Sequence, residues 1–321
     1  MPAKITAILS LLFATFFLNA CEPPDSKVGP PKLTIPKAPP KQDQGEVKKT
    51  IACYLNSCFD TISVDQIEDP SGDYIYNDPN NFPNENLRNQ YVRPLHLIDL
   101  LEINPATKVA PNFVLEDFMS EFKGRYALYS ANVILKLQLM RNETKKPIYI
   151  NSGYRNPAYN RDIAGSATWS RHMYGDAADF YIKDMAVKEL PALCKKYGAS
   201  FTLTYLQHIH CDWRESPLDP AFYTQTQLRA DNVEKINFAT FLQNQSKINF
   251  RQTDKNLIFS VYVPLPDEDE GVPTHEWSVI LPTNEIITAD TETFYAPKIH
   301  GTYQIKVVVG GSIVVRDNFS W

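Results

Sequence analysis

The chain has 321 residues, of which 43% are hydrophobic and 21% are charged, and its formal net charge is −5. It is long enough to bury a substantial core, and two domains of ordinary size are the first hypothesis. The lack of a basic composition argues against nucleic acid as a partner. The 24 prolines against 12 glycines indicate linkers and rigid surface loops beside the folded regions.

Residues 1–21 have the pattern of a bacterial export signal. Lys4 precedes an apolar run at residues 5–17, which is too short for a membrane span but fits a secretion signal. Residues 18–21, LNAC, resemble the lipobox of bacterial lipoproteins, in which the cysteine is lipidated. The resemblance implies an exported protein anchored to a membrane by acyl chains on Cys21. A short membrane anchor or a plain signal peptide is the alternative.

Glu22 follows that cysteine, so the aspartate associated with inner-membrane retention is absent. If the cell is Gram-negative, we expect the protein on the periplasmic face of the outer membrane. Residues 22–48 are rich in proline and poor in apolar groups, which predicts an extended tether between the lipid and the folded chain.

Four cysteines remain when Cys21 is set aside, and an even number in an oxidising compartment favours disulfides. Three pairings are possible. We favour Cys53 with Cys58 and Cys194 with Cys211, because the members of each pair are close in sequence. Free buried thiols are the alternative.

Residues 49–217 are interpreted as the domain that carries the chemistry, with a loop-rich lead-in to about residue 110. Phe113, Phe118 and Phe122 have helical spacing, and an apolar face from 127 to 140 predicts a longer helix ending near residue 142. Further elements follow in α+β order, with strands at 147–151, 177–182 and 202–211 and a helix at 188–197.

Residues 218–321 alternate apolar and polar side chains in several short runs. Runs that begin at Leu257, Trp277, Tyr303 and Ile313 predict strands of a small β-sandwich, of the immunoglobulin kind. This module carries no chemical motif, so we expect a spacer or recognition role with an unknown partner.

Two stretches in the middle of the chain contain candidate metal ligands. The first, SRHMYGDAAD, contains His172 and Asp179, with the carboxylate on the strand face opposite Phe180. On a strand, His208 and His210 would also share one face. His172, Asp179 and His210 make a plausible set of two nitrogens and one oxygen, which leaves a fourth position open for water as in a catalytic zinc site. Asp212 could be a carboxylate that supports a metal ligand, but a solvent contact at a strand end is favoured.

Three segments in this order carry a resemblance to a known family: SGYRNP at 152–157, Ser170-x-His172-x-x-Gly175-x-Ala177-x-Asp179, and His208-x-His210. They resemble the M15 family of zinc D-Ala-D-Ala peptidases, especially the peptidoglycan carboxypeptidases and endopeptidases that end in His-x-His. The resemblance covers about residues 110–215 and implies a hedgehog- or DD-peptidase-like fold. It implies that His172, Asp179 and His210 bind Zn²⁺, that His208 acts in catalysis, and that Arg155 contacts substrate or the developing oxyanion.

The resemblance and the export signal together predict a zinc metallopeptidase that hydrolyses peptidoglycan peptides at the cell wall, as a D,D-carboxypeptidase or endopeptidase. Other branches place a glutamate base just before the last ligand. Leu206 and Gln207 stand there in this chain, so His208 must take that role. Tyr154 and Ser170 are candidates for substrate contact beside Arg155, although aromatic residues such as Tyr154 beside a site are more often packing residues.

Three alternatives stay open at this point. His208 could only orient a metal ligand, as neighbours of metal sites commonly do. Arg155 could be a structural ion-pair partner. The whole protein could be a non-catalytic lipoprotein that binds metal or cell wall and keeps the peptidase fold.

Overall fold

A computed structural model describes residues 50–55, 57–164, 166–223, 238–265 and 272–321. These residues belong to one compact unit. The predicted export signal, the predicted lipidation site at Cys21 and the predicted tether at 22–48 lie outside the described residues. Within the described ranges, no helix has the length and apolar character needed to cross a membrane.

The strands in the described ranges are β1 Ile51–Tyr54, β2 Ser57–Ser63, β3 His96–Asp99, β4 Lys108–Ala110, β5 Phe113–Val114, β6 Tyr126–Ala127, β7 Ile148–Ser152, β8 Ala177–Ile182, β9 Phe201–Thr204, β10 Ile209–Asp212, β11 Lys247–Gln252, β12 Asn256–Tyr262, β13 His275–Ile280, β14 Ile286–Ala289, β15 Thr293–Pro297, β16 Thr302–Val309 and β17 Ile313–Ser320. The α-helices are α1 Leu115–Phe118, α2 Ala131–Thr144, α3 Pro157–Asp162, α4 Leu190–Lys196 and α5 Phe238–Gln245. Short 3-10 helices occupy Val64–Gln66, Pro79–Asn81, Glu85–Tyr91, Glu121–Lys123, Arg171–Tyr174 and Val187–Glu189.

The central sheet has the strand order β7-β8-β10-β9, and all of its pairs are antiparallel. In β8, Ala178 and Phe180 enter the main core while Asp179 takes the opposite face, as the period of two predicts. The register pairs Asp179 with His210 on β10, so the central sheet itself brings these two side chains together. The mixture of helices and sheets agrees with the predicted α+β class.

The lead-in to about residue 110, which the sequence predicts to be rich in loops, contains regular strands. Strands β1, β2 and β3 form a four-stranded sheet with β6, in the order β1-β2-β3-β6. Leu97 and Ile98 of β3 are fully buried in the main core, so this segment packs on the central region as predicted.

Two predicted elements differ from the structure. Phe113 lies in β5 and Phe118 ends the single turn α1, whereas Phe122 is 82% exposed in a separate 3-10 turn. The helical spacing of these three phenylalanines was therefore misleading. The predicted strand at 202–211 is a hairpin, because the amide of Tyr205 donates to the carbonyl of His208 at 2.9 Å and closes a tight turn between β9 and β10.

The C-terminal region contains two antiparallel sheets, β11-β12-β15 and β14-β13-β16-β17. All four predicted strands are present as β12, β13, β16 and β17. Phe259 of the first sheet and Tyr303 of the second have ring centroids 6.1 Å apart, and both belong to one hydrophobic core. That core also contains Met173 and Tyr174 from the central region, so the C-terminal sheets pack directly beside the segment that carries His172.

Both favoured disulfides are present, Cys53–Cys58 and Cys194–Cys211. The first joins β1 to β2 at their shared turn. The second joins α4 to β10 across a sequence separation of 17 residues, and so holds the helix on the strand that carries His210.

Reduction of Cys194–Cys211 is expected to lower the free energy of unfolding by about 3 kcal/mol, because a closed loop of this size restricts the unfolded chain. Urea denaturation with and without reductant measures the change. The control is a Cys53→Ser/Cys58→Ser variant, in which reductant acts on Cys194–Cys211 without the first disulfide. An unchanged denaturation midpoint in that variant would contradict the prediction.

Candidate metal centre

Three predicted ligands converge in the structure. His172 lies in the 3-10 turn Arg171–Tyr174, Asp179 in the middle of β8 and His210 on β10. One ligand atom from each lies within 4.8 Å of the others, and all three residues are buried. Asp179 Oδ1 is 2.9 Å from His210 Nδ1 and 3.2 Å from His172 Nε2, and the two nitrogens are 3.3 Å apart.

These separations suit a small tetrahedral ion. Ligand atoms about 2.0–2.1 Å from a tetrahedral zinc lie about 3.3 Å from one another. The donor set of two imidazole nitrogens and one carboxylate oxygen is also one that zinc accepts. The three side chains can therefore hold a metal ion.

The outer nitrogens of both histidines have acceptors, which leaves the inner nitrogens available as ligands. His172 Nδ1 is 2.6 Å from the carbonyl oxygen of Gly153, and His210 Nε2 is 3.4 Å from Asp212 Oδ2. An acceptor on one ring nitrogen places the proton there and turns the other nitrogen's lone pair toward the ion. Both imidazoles are thus oriented for metal binding.

Asp212 corrects the expectation of a solvent contact, because it is fully buried. The Arg214 guanidinium donates to both of its oxygens, from Nε to Oδ1 at 2.8 Å and from Nη2 to Oδ2. Burial by itself raises the pKa of the Asp212 carboxyl, but the charge and hydrogen bonds of Arg214 outweigh burial and hold that pKa well below its ordinary value. Asp212 is therefore an ionised acceptor for His210.

Two glycines let the backbone approach the site closely. A Cβ on Gly153 would lie 2.3 Å from the carbonyl oxygen of Phe118, so no other residue fits there without movement. Gly175 ends the turn that carries His172 with a left-handed φ of +71°, and a Cβ there would lie 2.7 Å from the carbonyl oxygen of Leu128. The turn that carries His172 therefore requires glycine at position 175.

A cavity of about 110 Å³ opens beside the ligands, and its lining includes Asp179, Arg155 and His208. His208 directly precedes β10 and is half-buried, with its ring stacked on Tyr205 at a centroid distance of 4.6 Å. The structure thus places His208 in the wall of the same cavity as Asp179, with part of its ring exposed.

Arg155 is almost fully buried and is tied to the ligand set. Its Nη2 donates to Asp179 Oδ2 at 3.0 Å, and its Nε donates to Ser152 Oγ at 2.9 Å. Arg155 is thus an ion-pair partner of Asp179 and also lines the cavity. The sequence left an ion pair and a substrate contact as alternatives for this residue, and its position is compatible with both.

Tyr154 and Ser170, which were expected to contact substrate, do not line this cavity. Tyr154 is fully buried, its hydroxyl is 3.1 Å from the Tyr76 hydroxyl, and burial raises its pKa well above the ordinary value. Ser170 is 2% exposed. Both side chains are therefore buried, and their contact with substrate stays a prediction.

Two contributions to the site were not predicted. Lys123 lines the cavity, with Nζ 3.2 Å from Ser152 Oγ, but a lone lysine in a loop carries no recognisable signal. The second contribution is the pair of Asp212 and Arg214. Its sequence signal is that His208, His210, Asp212 and Arg214 stand at every second position, which is typical of side chains on one face of a strand.

Comparison with known proteins gives a match to one family model and to no individual protein. No curated protein and no solved structure is significantly similar to the chain. The family model described as Peptidase M15 matches residues 111–212, about a third of the chain, and this range includes the three ligands, Arg155 and His208. The match, together with the geometry, supports a peptidase domain of the M15 family in this segment.

Proposed function

We propose that the chain is a zinc-dependent peptidase that hydrolyses peptide bonds containing D-amino acids in peptidoglycan. The observation that carries the proposal is the buried set of His172, Asp179 and His210 beside a cavity lined by His208. Three protein ligands leave a coordination position open, which distinguishes catalytic zinc sites from structural ones. When bound, zinc supplies Lewis acidity that polarises a carbonyl group and makes water more acidic.

His208 is the proposed acid and base. The Asp179 carboxylate in the cavity is occupied by Arg155 and the two histidines, so it is poorly placed to accept a proton. His208 is half-buried in the cavity wall and can take a proton from attacking water and return it to the leaving amine. A histidine is suited to both steps because its ordinary pKa lies near neutrality.

Arg155 and Lys123 are proposed to hold the substrate. Both line the cavity, and their charges favour oxygen atoms with negative charge, such as a peptide carboxylate or a developing oxyanion. Because Arg155 also contacts Asp179 at 3.0 Å, it ties the position of that substrate oxygen to the ligand set.

The substrate class and location are further parts of the proposal. The His-x-His resemblance points to peptidoglycan D,D-carboxypeptidases and endopeptidases with a hedgehog-like fold. The signal at residues 1–21 is in keeping with a lipoprotein anchored at Cys21 and facing the cell wall.

Purified protein incubated with cross-linked and uncross-linked muropeptides is expected to release products that a chelator suppresses and added zinc restores. Mass spectrometry distinguishes removal of a terminal D-Ala from cleavage of a cross-link. The Gln207→Ala variant is the control, because it changes an exposed turn residue next to His208 and should keep full activity. Absence of chelator-sensitive product on every substrate would refute the proposed activity and favour a non-catalytic binding protein.

A further inference from the structure

We propose that the C-terminal region from Phe238 onward is a structural part of the metal centre, because it positions His210 through Arg214 and Asp212. Phe238, Arg214 and Asp212 are positioning residues that act on the ligand His210, and none of them is proposed to touch the ion. The proposed role rests on the proposed metal site, although its test needs no substrate.

The first step is the contact between Asp212 and His210. Asp212 Oδ2 is 3.4 Å from His210 Nε2, and both residues are fully buried. A carboxylate in this position orients the imidazole and raises the basicity of its ligand nitrogen. The orientation of His210 thus depends on where Asp212 is held.

The second step is the clamp on Asp212. Arg214 donates to both carboxylate oxygens, and its Nη1 donates to the hydroxyl of Tyr91 at 3.2 Å. A planar guanidinium bound through two parallel hydrogen bonds fixes the orientation of a carboxylate as well as its position. Because the pair is buried, loss of this geometry cannot be compensated by water.

The third step links the clamp to the C-terminal region. The guanidinium carbon of Arg214 lies 3.7 Å from the ring centroid of Phe238 and 5.3 Å from that of Phe201. Phe238 is the first residue of α5, is fully buried, and belongs to the core of the C-terminal sheets. Contact with aromatic faces at these distances stabilises a desolvated cation. Phe238 therefore packs on the guanidinium that holds Asp212.

A second attachment acts on the same hairpin from β9. The amide of Thr204 donates to Gly310 at 2.9 Å, and the amide of Thr274 donates to Thr204 at 2.9 Å. The hydroxyls of Thr202 and Ser312 are 2.7 Å apart. Since β9 pairs with β10, the C-terminal sheets brace the strand that carries His210 as well as its clamp.

The test compares two phenylalanines of one core. Phe238→Leu removes the aromatic face over Arg214, whereas Phe259→Leu changes an equally buried residue that contacts Tyr303 and Phe319. Zinc affinity is measured by competition with a chromogenic chelator, and ligand geometry by the visible absorption of the cobalt-substituted protein. We expect Phe238→Leu to weaken zinc affinity by about 10-fold and to alter the cobalt spectrum, since partners of metal ligands typically contribute 10–100-fold. Phe259→Leu should leave both unchanged.

Two further variants keep the test decisive if Phe238→Leu does not fold. Asp212→Asn keeps the shape of the side chain but removes its charge, and should weaken zinc affinity by at least 10-fold. Phe238→Tyr keeps the aromatic face and should retain wild-type affinity. Equal affinities of Phe238→Leu and Phe259→Leu, or a wild-type affinity of Asp212→Asn, would overturn the inference.

The outcome for the wild type separates this inference from the proposed function. A wild-type protein that binds zinc without hydrolysing any muropeptide refutes the activity but leaves the positioning role open to the same measurements. A wild-type protein that binds no zinc refutes both.

Discussion

Replacing His210 with alanine is expected to abolish both metal content and hydrolysis. The variant loses one of three ligands, and the remaining nitrogen of His172 and oxygen of Asp179 cannot complete a zinc site of three protein ligands. It also leaves the buried carboxylates of Asp179 and Asp212 without the imidazole between them, at 2.9 and 3.4 Å. We expect less than about a tenth of the wild-type zinc content and no hydrolysis above background. Elemental analysis of the purified protein and the muropeptide assay measure the two effects.

The matched control is His275→Ala, which removes a histidine of β13 in the C-terminal sheets. It should keep stoichiometric zinc and full activity. Circular dichroism of both variants shows whether each is folded. If His210→Ala does not fold, Asp179→Asn tests the same site with little change in side-chain shape. Retention of zinc or of hydrolysis by a folded His210→Ala protein would refute the ligand assignment.

Replacing His208 with alanine is expected to reduce the turnover rate by about 100- to 10,000-fold, which is the usual contribution of a general acid or base. Zinc content should stay stoichiometric, because His208 lies in the cavity wall and does not belong to the ligand group. The difference between lost turnover and retained metal separates this variant from His210→Ala. Steady-state kinetics with a muropeptide, together with elemental analysis, provides both measurements.

The control for this prediction is Gln207→Ala in the same turn, which should change neither turnover nor zinc content. Loss of zinc from a folded His208→Ala protein would show that His208 is a ligand. An unchanged turnover rate would show that proton transfer depends on another group, and the proposed role of His208 would be wrong.

Much of the ligand arrangement was predictable because it follows from local backbone geometry. The alternation of side chains along β8 places Asp179 opposite Ala178 and Phe180 regardless of the rest of the fold. The same period puts His208 and His210 on one side, even though the chain forms a hairpin there. The pairing of β8 with β10 then brings Asp179 and His210 face to face.

The helical spacing of Phe113, Phe118 and Phe122 shows where such patterns fail. Helical spacing reports only that apolar residues recur, and three side chains can satisfy it in separate short elements. Here Phe113 and Phe118 pack together with centroids 5.3 Å apart, while Phe122 is exposed. Burial of each side chain distinguishes a real helical face from apolar residues that share the spacing by coincidence. Burial depends on neighbours that are remote in sequence.

The positions of Tyr154 and Ser170 depend on remote neighbours in the same way. Both residues belong to the motif segments that contain Arg155 and His172, but both side chains are buried and neither lines the cavity. Sequence proximity to a site therefore did not predict access to its cavity.

The amino-acid sequence alone was enough to predict which three side chains converge as a possible metal site and how the four cysteines in the described residues pair. Residue type, strand period and short separations carry that information, because each depends on a few neighbouring positions. The complete burial of Asp212 and the contact that holds Arg214 became apparent only from the tertiary structure. Their clamp depends on Phe238, which the fold brings to within 3.7 Å of the guanidinium from a separate element of the chain. Alternation along the strand places Asp212 and Arg214 on the side of His210, but long-range packing decides which remote side chain covers the guanidinium.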